Sequence, residues 1–228
     1  MIEKFDEIRN MTAEERVILA DKHEQGGKKA NHIVVRDKAT GQVLLTKRNL
    51  VVRNGRELIL RKIVNLPYPS ESQDNLNTRY LCLFGIGSGG TPIASPFQPI
   101  APTPADTDLN TKVPFRIATT AIPLTTDERT KYFDGQVVSG GSAYYKKTFS
   151  SVNLVKDDTN DDYYVQVTLE INESDARGAL VSEIGIYSAR VVAGTYNAIQ
   201  LFSRITFDTE SLNASTGKGL TIEYYVYA

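Results

Sequence analysis

Leu220-Thr-Ile-Glu-Tyr-Tyr-Val-Tyr227, at the end of the chain, decides the fold class. Leu220, Ile222, Tyr224 and Val226 fall on one side of an extended backbone; Thr221, Glu223, Tyr225 and Tyr227 fall on the other. A period of two marks a strand with one buried face. The same reading applies to Leu201-Phe-Ser-Arg-Ile-Thr-Phe-Asp208, with Leu201, Ile205 and Phe207 opposite Arg204, Thr206 and Asp208. Leu180-Val-Ser-Glu-Ile-Gly-Ile-Tyr187 is a third apolar segment. Glu210 to Gly219 joins the last two strands and is too long for a two-residue hairpin.

Working outward, His32–Arg36 and Gln42–Lys47 flank Asp37-Lys-Ala-Thr-Gly41 and read as a hairpin. Leu50–Val52 extends it as strand or strand end. Leu58, Ile59, Ile63 and Leu66 recur at helical spacing, which predicts a short helix over 56–65 that stops before Pro67. Arg79–Phe84 is almost wholly apolar, as a central strand should be. Val113–Ala118, Ala143–Val155, Tyr163–Ile171 and Val181–Val192 bring the count to at least seven strands with no long helix between them. That pattern excludes a doubly wound α/β sheet and predicts a mainly β protein, an antiparallel β-sandwich.

Two segments depart from the strand pattern. Residues 1–30 read as a helical N-terminal arm: Ile2, Phe5 and Ile8 share one helical face, Thr12 and Glu15 form a capping-box pattern, and Gly26-Gly27 closes it. Residues 85–111 are rich in glycine and proline, so they are expected to be extended and stiff, suited to lying along a neighbouring subunit. Residues 31–228 are read as a single β-sandwich domain carrying that loop. On this reading, removing 88–108 should leave the domain folded.

Composition narrows the function classes. A formal net charge of −1 gives no bulk electrostatic case for nucleic acid or an anionic membrane. No run approaches the ~18 apolar residues of a membrane helix. The N-terminus is charged throughout and lacks the apolar core of a signal peptide. Cys82 is the only cysteine, so neither an intrachain disulfide nor a cysteine zinc site is available, which fits a reducing cytoplasm. Tyrosines come in pairs (Tyr144-Tyr145, Tyr163-Tyr164, Tyr224-Tyr225), which puts one ring of each pair on either sheet face.

Candidate chemistry is sparse. Gly85-Ile-Gly-Ser-Gly-Gly90 has the G-x-G-x-x-G spacing after a strand, but Pro92, Pro96 and Pro99 prevent the helix whose N-terminus would hold a pyrophosphate. It reads as a glycine-rich strand exit. The acidic run Asp157–Asp162 reads as a solvated hairpin tip and lacks the spaced acids of a calcium loop. His23 and His32 stand without an acid–serine pattern or H-E-x-x-H spacing, and Cys82 reads as a buried small hydrophobe. Glu183 is a charge in an apolar run: either a buried acid paired with a base such as Arg204, or a side chain turned to solvent. No catalytic residue, cofactor or metal ligand is assigned.

Six blocks, in order, carry a resemblance: Asn49–Glu57, Phe84–Pro92, Asp106–Leu109, Glu183–Tyr187, Leu201–Phe207 and Leu220–Tyr224. Together they resemble small β-rich virion structural proteins of tailed bacteriophages, found in tails, baseplates and necks. The resemblance covers residues from about 49 to the end and carries no catalytic residues. It implies a non-enzymatic virion subunit, assembled in the host cytoplasm and packed with other virion structural proteins, with no nucleic acid, membrane or small-molecule substrate. Such subunits usually close into homo-oligomeric rings. The expected contacts are Ile2, Phe5 and Ile8 of the arm, Ile93, Phe97 and Ile100 of the loop, and the outward tyrosines Tyr145, Tyr164, Tyr225 and Tyr227. The alternative is a carbohydrate- or ligand-binding β-sandwich that uses those tyrosines as its platform.

Overall fold

The computed structural model describes residues 31–227 except 70, 93–97, 158–161, 173, 177 and 212–218, with the side chains of 157, 162, 209–211 and 227 also outside the description. The chain is mainly β, and every strand pairing is antiparallel. The described residues divide into two compact units that alternate along the sequence. One takes residues up to Asn49, Ser150–Asn172 and those from 217 on; the other takes Leu50–Phe149 and residues 173–216.

The first unit is a five-stranded sheet in the order β2-β1-β13-β10-β9. Its strands are β1 (His32–Asp37), β2 (Val43–Arg48), β9 (Ser151–Asp157), β10 (Asp162–Ile171) and β13 (Leu220–Tyr227). The expected β1–β2 hairpin is present. Its turn is held by the Asp37 carboxylate, which accepts from the backbone N–H groups of Ala39 and Thr40 at 3.0 and 2.9 Å, and Gly41 takes the left-handed φ of 72°. β13 is central, set between β1 (Ile33 opposite Tyr224) and β10 (Leu169 opposite Ile222). Ile33, Val35, Leu169, Ile171, Ile222 and Tyr224 of these strands are buried, and the period of two read from β13 matches the burial of Leu220, Ile222 and Tyr224.

The second unit holds an eight-stranded sheet. Its path runs β3 (Leu50–Val51), β12 (Thr195–Ser211), β11 (Leu180–Val192), β4 (Arg79–Gly87), β8 (Gly141–Thr148), β6 (Arg116–Thr119). Two further strands lie off the path, β5 (Lys112–Val113) on β4 and β7 (Tyr132–Val138) on β8. Val52, Cys82, Leu83, Leu109, Tyr187, Ala189 and Leu201 form one buried cluster.

Several expectations change here. Ala143–Val155 is two strands, broken at Phe149-Ser150, which pair in different sheets. β12 and β13 likewise lie in different sheets, so Glu210–Gly219 joins two units. Three helices occur among the described residues where one was expected: α1 (Arg53–Val64), α2 (Gln73–Asn77) and α3 (Thr126–Arg129). The two missed are single turns set by capping side chains, Ser72 on α2 and the Thr125–Glu128 capping box on α3. Helix α1 starts three residues earlier than the spacing predicted, because the N–H groups of Val52 and Arg53 find the carbonyls of Phe202 and Pro104 at 3.0 and 2.9 Å. The arm, residues 1–30, lies outside the described residues.

Candidate functional site

Glu183 is the hub of the second unit. It sits in β11 at 0% exposure, and its carboxylate accepts from five donors. Backbone N–H groups of Gly89 and Thr111 reach Oε1 at 3.2 and 3.0 Å, and that of Asn110 reaches Oε2 at 3.3 Å. Arg204, one strand over in β12, donates Nε and a terminal nitrogen to Oε2 at 2.9 and 2.6 Å. Of the two readings left open by the sequence, the buried pair is the one observed.

This geometry explains the glycine motif. A loop rich in exposed backbone amides binds an anion, and here the anion is the chain's own carboxylate. A Cβ on Gly87 would meet Glu183 Oε1 and lie 2.6 Å from the Thr111 carbonyl, and a Cβ on Gly90 would meet the Ser182 carbonyl. The Ser182 hydroxyl accepts from the N–H groups of Gly90 and Thr91 at 2.9 and 3.2 Å. β4 runs on through Gly87, three residues past its expected end, because Gly85 and Gly87 still pair with β11.

The described parts of the Gly/Pro segment, residues 85–92 and 98–111, are bonded to their own sheet. Ile100 donates its N–H to Gly90 and accepts from the Thr206 hydroxyl, at 2.8 and 2.7 Å. Asp106 pairs with Arg204 at 2.7 Å and is itself fixed by Thr103. Asp108 accepts from the Tyr187 hydroxyl at 2.6 Å and from Lys112 at 3.1 Å. Arg204 and Thr206, opposite Leu201, Ile205 and Phe207 in the strand alternation, are buried too, since this segment supplies their partners.

Lys146, in β8, completes the cluster. It is buried over the Tyr187 ring, 4.0 Å from its centroid, with Asp134 at 3.4 Å and Asp108 at 3.7 Å. Burial lowers its pKa despite those two acids. Burial and Asp108 raise that of Tyr187 well above its ordinary value. Burial opposes ionisation of Asp106 and Asp108, yet the bonds of Asp106 to Thr103 and Arg204, and for Asp108 the nearby Lys146 charge and the Tyr187 hydrogen bond, hold both carboxyls below the usual range. Burial likewise opposes the charge on Arg204, and its two carboxylate partners overcome it and raise its pKa. A second buried group lies nearby in sequence: Asp175 accepts from Tyr132 at 2.5 Å and from Lys147 at 2.6 Å. Chemically, both clusters hold charges already matched by neighbours within the chain.

Away from these clusters, one group of exposed apolar side chains lies on and just after α1. This helix docks through Gly55 and Leu58, with Gly55 so close to the Phe202 carbonyl on β12 that a Cβ would overlap it. Leu58 packs with Leu76 and Phe202. The remaining apolar residues face out: Leu60 is 63% exposed, Ile63 73% and Val64 65%, with Ile59 and Leu66 also exposed. A groove of about 650 Å³ runs beside them, lined by Arg53, Arg56, Glu57, Leu60, Arg61, Val64, Leu66 and Pro104. The helical spacing thus found the helix, but of Leu58, Ile59, Ile63 and Leu66 only Leu58 is buried. The signal for this surface was in the sequence: Leu58, Ile59, Leu60, Ile63 and Val64 surround a helix that has only one side to bury.

No protein-family model matches the chain, and no curated protein or solved structure matches it significantly.

Of the expected contact residues, Ile2, Phe5, Ile8, Ile93, Phe97 and the Tyr227 side chain lie outside the described residues. Ile100 is partly exposed beside the returning loop. Tyr145, in the second unit, is half-buried with Lys112 over its ring. Tyr164 and Tyr225, in the first, are half-buried and lie against one another, with Tyr225 stacked on His32 at 4.7 Å. Burial raises the Cys82 thiol to about 12, in keeping with its reading as a small hydrophobe. Among the described residues no helix is long and apolar enough to cross a membrane, and no group of three or more metal-ligating side chains is found. The tip of the Asp157–Asp162 loop lies outside them.

Proposed function

We propose that this chain is a non-enzymatic structural subunit of a tailed-bacteriophage virion, a tail, baseplate or neck component. It would assemble in the host cytoplasm and pack with other virion proteins as a homo-oligomeric ring. The observation that carries the assembly role is the outer face of α1, where several large apolar side chains lie open beside a groove. Apolar area of that kind on a folded protein marks a surface for another macromolecule. The phage assignment rests on the six sequence blocks. Residues from Leu50–Glu57, Phe84–Pro92, Asp106–Leu109, Glu183–Tyr187 and Leu201–Phe207 lie in one unit, where Glu183, Arg204, Asp106 and the glycine loop form a single bonded kernel. The tyrosines of the alternative reading, Tyr164 and Tyr225, are engaged with each other and with His32.

The test is a mass-spectrometric inventory of purified particles from the source of this sequence. The chain should appear in stoichiometric amounts and stay with the tail or neck fraction when particles are disrupted. Its consistent absence from intact particles would refute the proposal.

A further inference from the structure

We propose that Lys147 and Asp175 are a covalent modification site, where the lysine amine and the aspartate carboxyl condense into an intramolecular isopeptide bond with Tyr132 as the catalytic group. The site lies within the second unit and is independent of the α1 surface and of the virion reading. Lys147 Nζ lies 2.6 Å from Asp175 Oδ2, and the two side chains are only 6% and 1% exposed. That contact keeps Nζ within about 3.8 Å of the carboxyl carbon, close to the about 3–3.5 Å of a near-attack geometry. The Tyr132 hydroxyl donates to the other carboxyl oxygen, Oδ1, at 2.5 Å.

The fold holds these three groups together. Tyr132 in β7 stands directly opposite Lys147 in β8, and opposed residues of antiparallel strands share one sheet face. On its other side Lys147 pairs with Phe84 of β4, whose ring meets that of Phe115 edge-on at 5.1 Å. Both rings are buried. Asp175 arrives on the turn before β11. There Ala176 donates its N–H to the Phe115 carbonyl at 3.0 Å and takes a left-handed φ of 46°. A residue with a Cβ adopts that backbone only where its surroundings impose it. Lys146, the next residue, lacks such an arrangement: Asp134 and Asp108 stand at 3.4 and 3.7 Å and are partly exposed.

Burial favours condensation, because a buried ion pair loses the hydration of both charges and an amide carries neither. Holding the partners in contact supplies an effective concentration that can reach about 10⁵–10⁸ M. A proton first passes from the Lys147 ammonium to Oδ2, leaving an amine and a carboxylic acid. The nitrogen lone pair then bonds to Cγ while the C=O electron pair moves onto Oδ1, where the Tyr132 O–H stabilises it. Burial and the Asp175 bond raise the Tyr132 pKa, so the hydroxyl keeps its proton for this role. A second proton passes from nitrogen to Oδ2, the Cγ–Oδ2 bond breaks, and Oδ2 leaves as water. An ammonium and a carboxylate thus become one amide and one water, with no oxidant, reductant or co-reactant.

Intact-mass spectrometry of the denatured full-length chain reads the bond directly. The wild-type chain should be lighter than its sequence mass by one water molecule, and a tryptic digest should contain a branched peptide joining Lys147 to Asp175. Lys147→Arg and Asp175→Ala should each keep their full mass. Tyr132→Phe, with its fold checked by circular dichroism, should lose water at least about tenfold more slowly in a cell-free synthesis time course. A folded wild-type chain at its full sequence mass would overturn the inference, whatever the variants do. So would a water loss that persists in Lys147→Arg or Asp175→Ala, or that maps to other residues. A folded Tyr132→Phe chain that condenses at the wild-type rate would overturn the role given to the hydroxyl.

Discussion

Replacing Glu183 with glutamine tests the kernel directly. The substitution keeps size and shape but removes the charge, and it puts an NH₂ group where both carboxylate oxygens now accept. Oε1 takes two backbone N–H groups and Oε2 takes a third together with two Arg204 nitrogens. Either amide orientation therefore sets donor against donor. Breaking a buried ion pair costs about 3–5 kcal/mol, and an unsatisfied buried polar group about 1–3 kcal/mol. Arg204 keeps Asp106 at 2.7 Å, which brings the expected loss to the low end, about 3 kcal/mol. For a chain of this length that is a fall in Tm of about 6–12 °C. Urea unfolding reads the stability. Hydrogen exchange supplies a local signature: the amides of Gly89, Asn110 and Thr111 should lose protection before the rest of β4 and β11. Asp106→Asn, at the more exposed partner, should cost about 1 kcal/mol. A loss from Glu183→Gln no larger than that from Asp106→Asn, or unchanged exchange at the three amides, would refute the reasoning.

Four further outcomes follow from the same geometry. Gly90→Ala should destabilise by about 1–3 kcal/mol, read by urea unfolding, because its methyl would be forced into the Ser182 carbonyl. Deleting residues 88–108, expected from sequence to be tolerated, should instead unfold the second unit. It removes Asp106 and Asp108 together with the Gly89 amide, and circular dichroism of the variant decides. Stability should decline on acidification: the folded-state pKa values of Asp106 and Asp108 lie below their unfolded ones, so their contribution is full above about pH 4 and is lost as pH falls through the lowered values. Thermal melts of the wild type and of a variant with both aspartates changed to asparagine should converge in acid. Cys82, buried and with its thiol raised to about 12, should resist maleimide at neutral pH until the protein is unfolded.

The sequence by itself determined the class of structure and most of its strands. Alternation at Leu220–Val226 and Tyr163–Ile171 is a local property, so β13 and β10 could be read without knowing what they touch. The Asp37–Gly41 turn and the helix at α1 are local in the same sense, because their determinants lie within a few residues. What only the tertiary structure decided is partnership. β1 lies beside β13, with Ile33 opposite Tyr224, while the chain neighbours β8 and β9 part into separate sheets; nothing within a strand records which distant edge will meet it. The same holds for charge. Glu183 could be flagged as a misfit in an apolar run, but its five donors come from three separate stretches of chain, two of them turns whose amides carry no side-chain signature. The outward face of α1 was the inverse case: its apolar spacing was legible, but which side would be buried depended on where Gly55 lets the helix approach the Phe202 carbonyl.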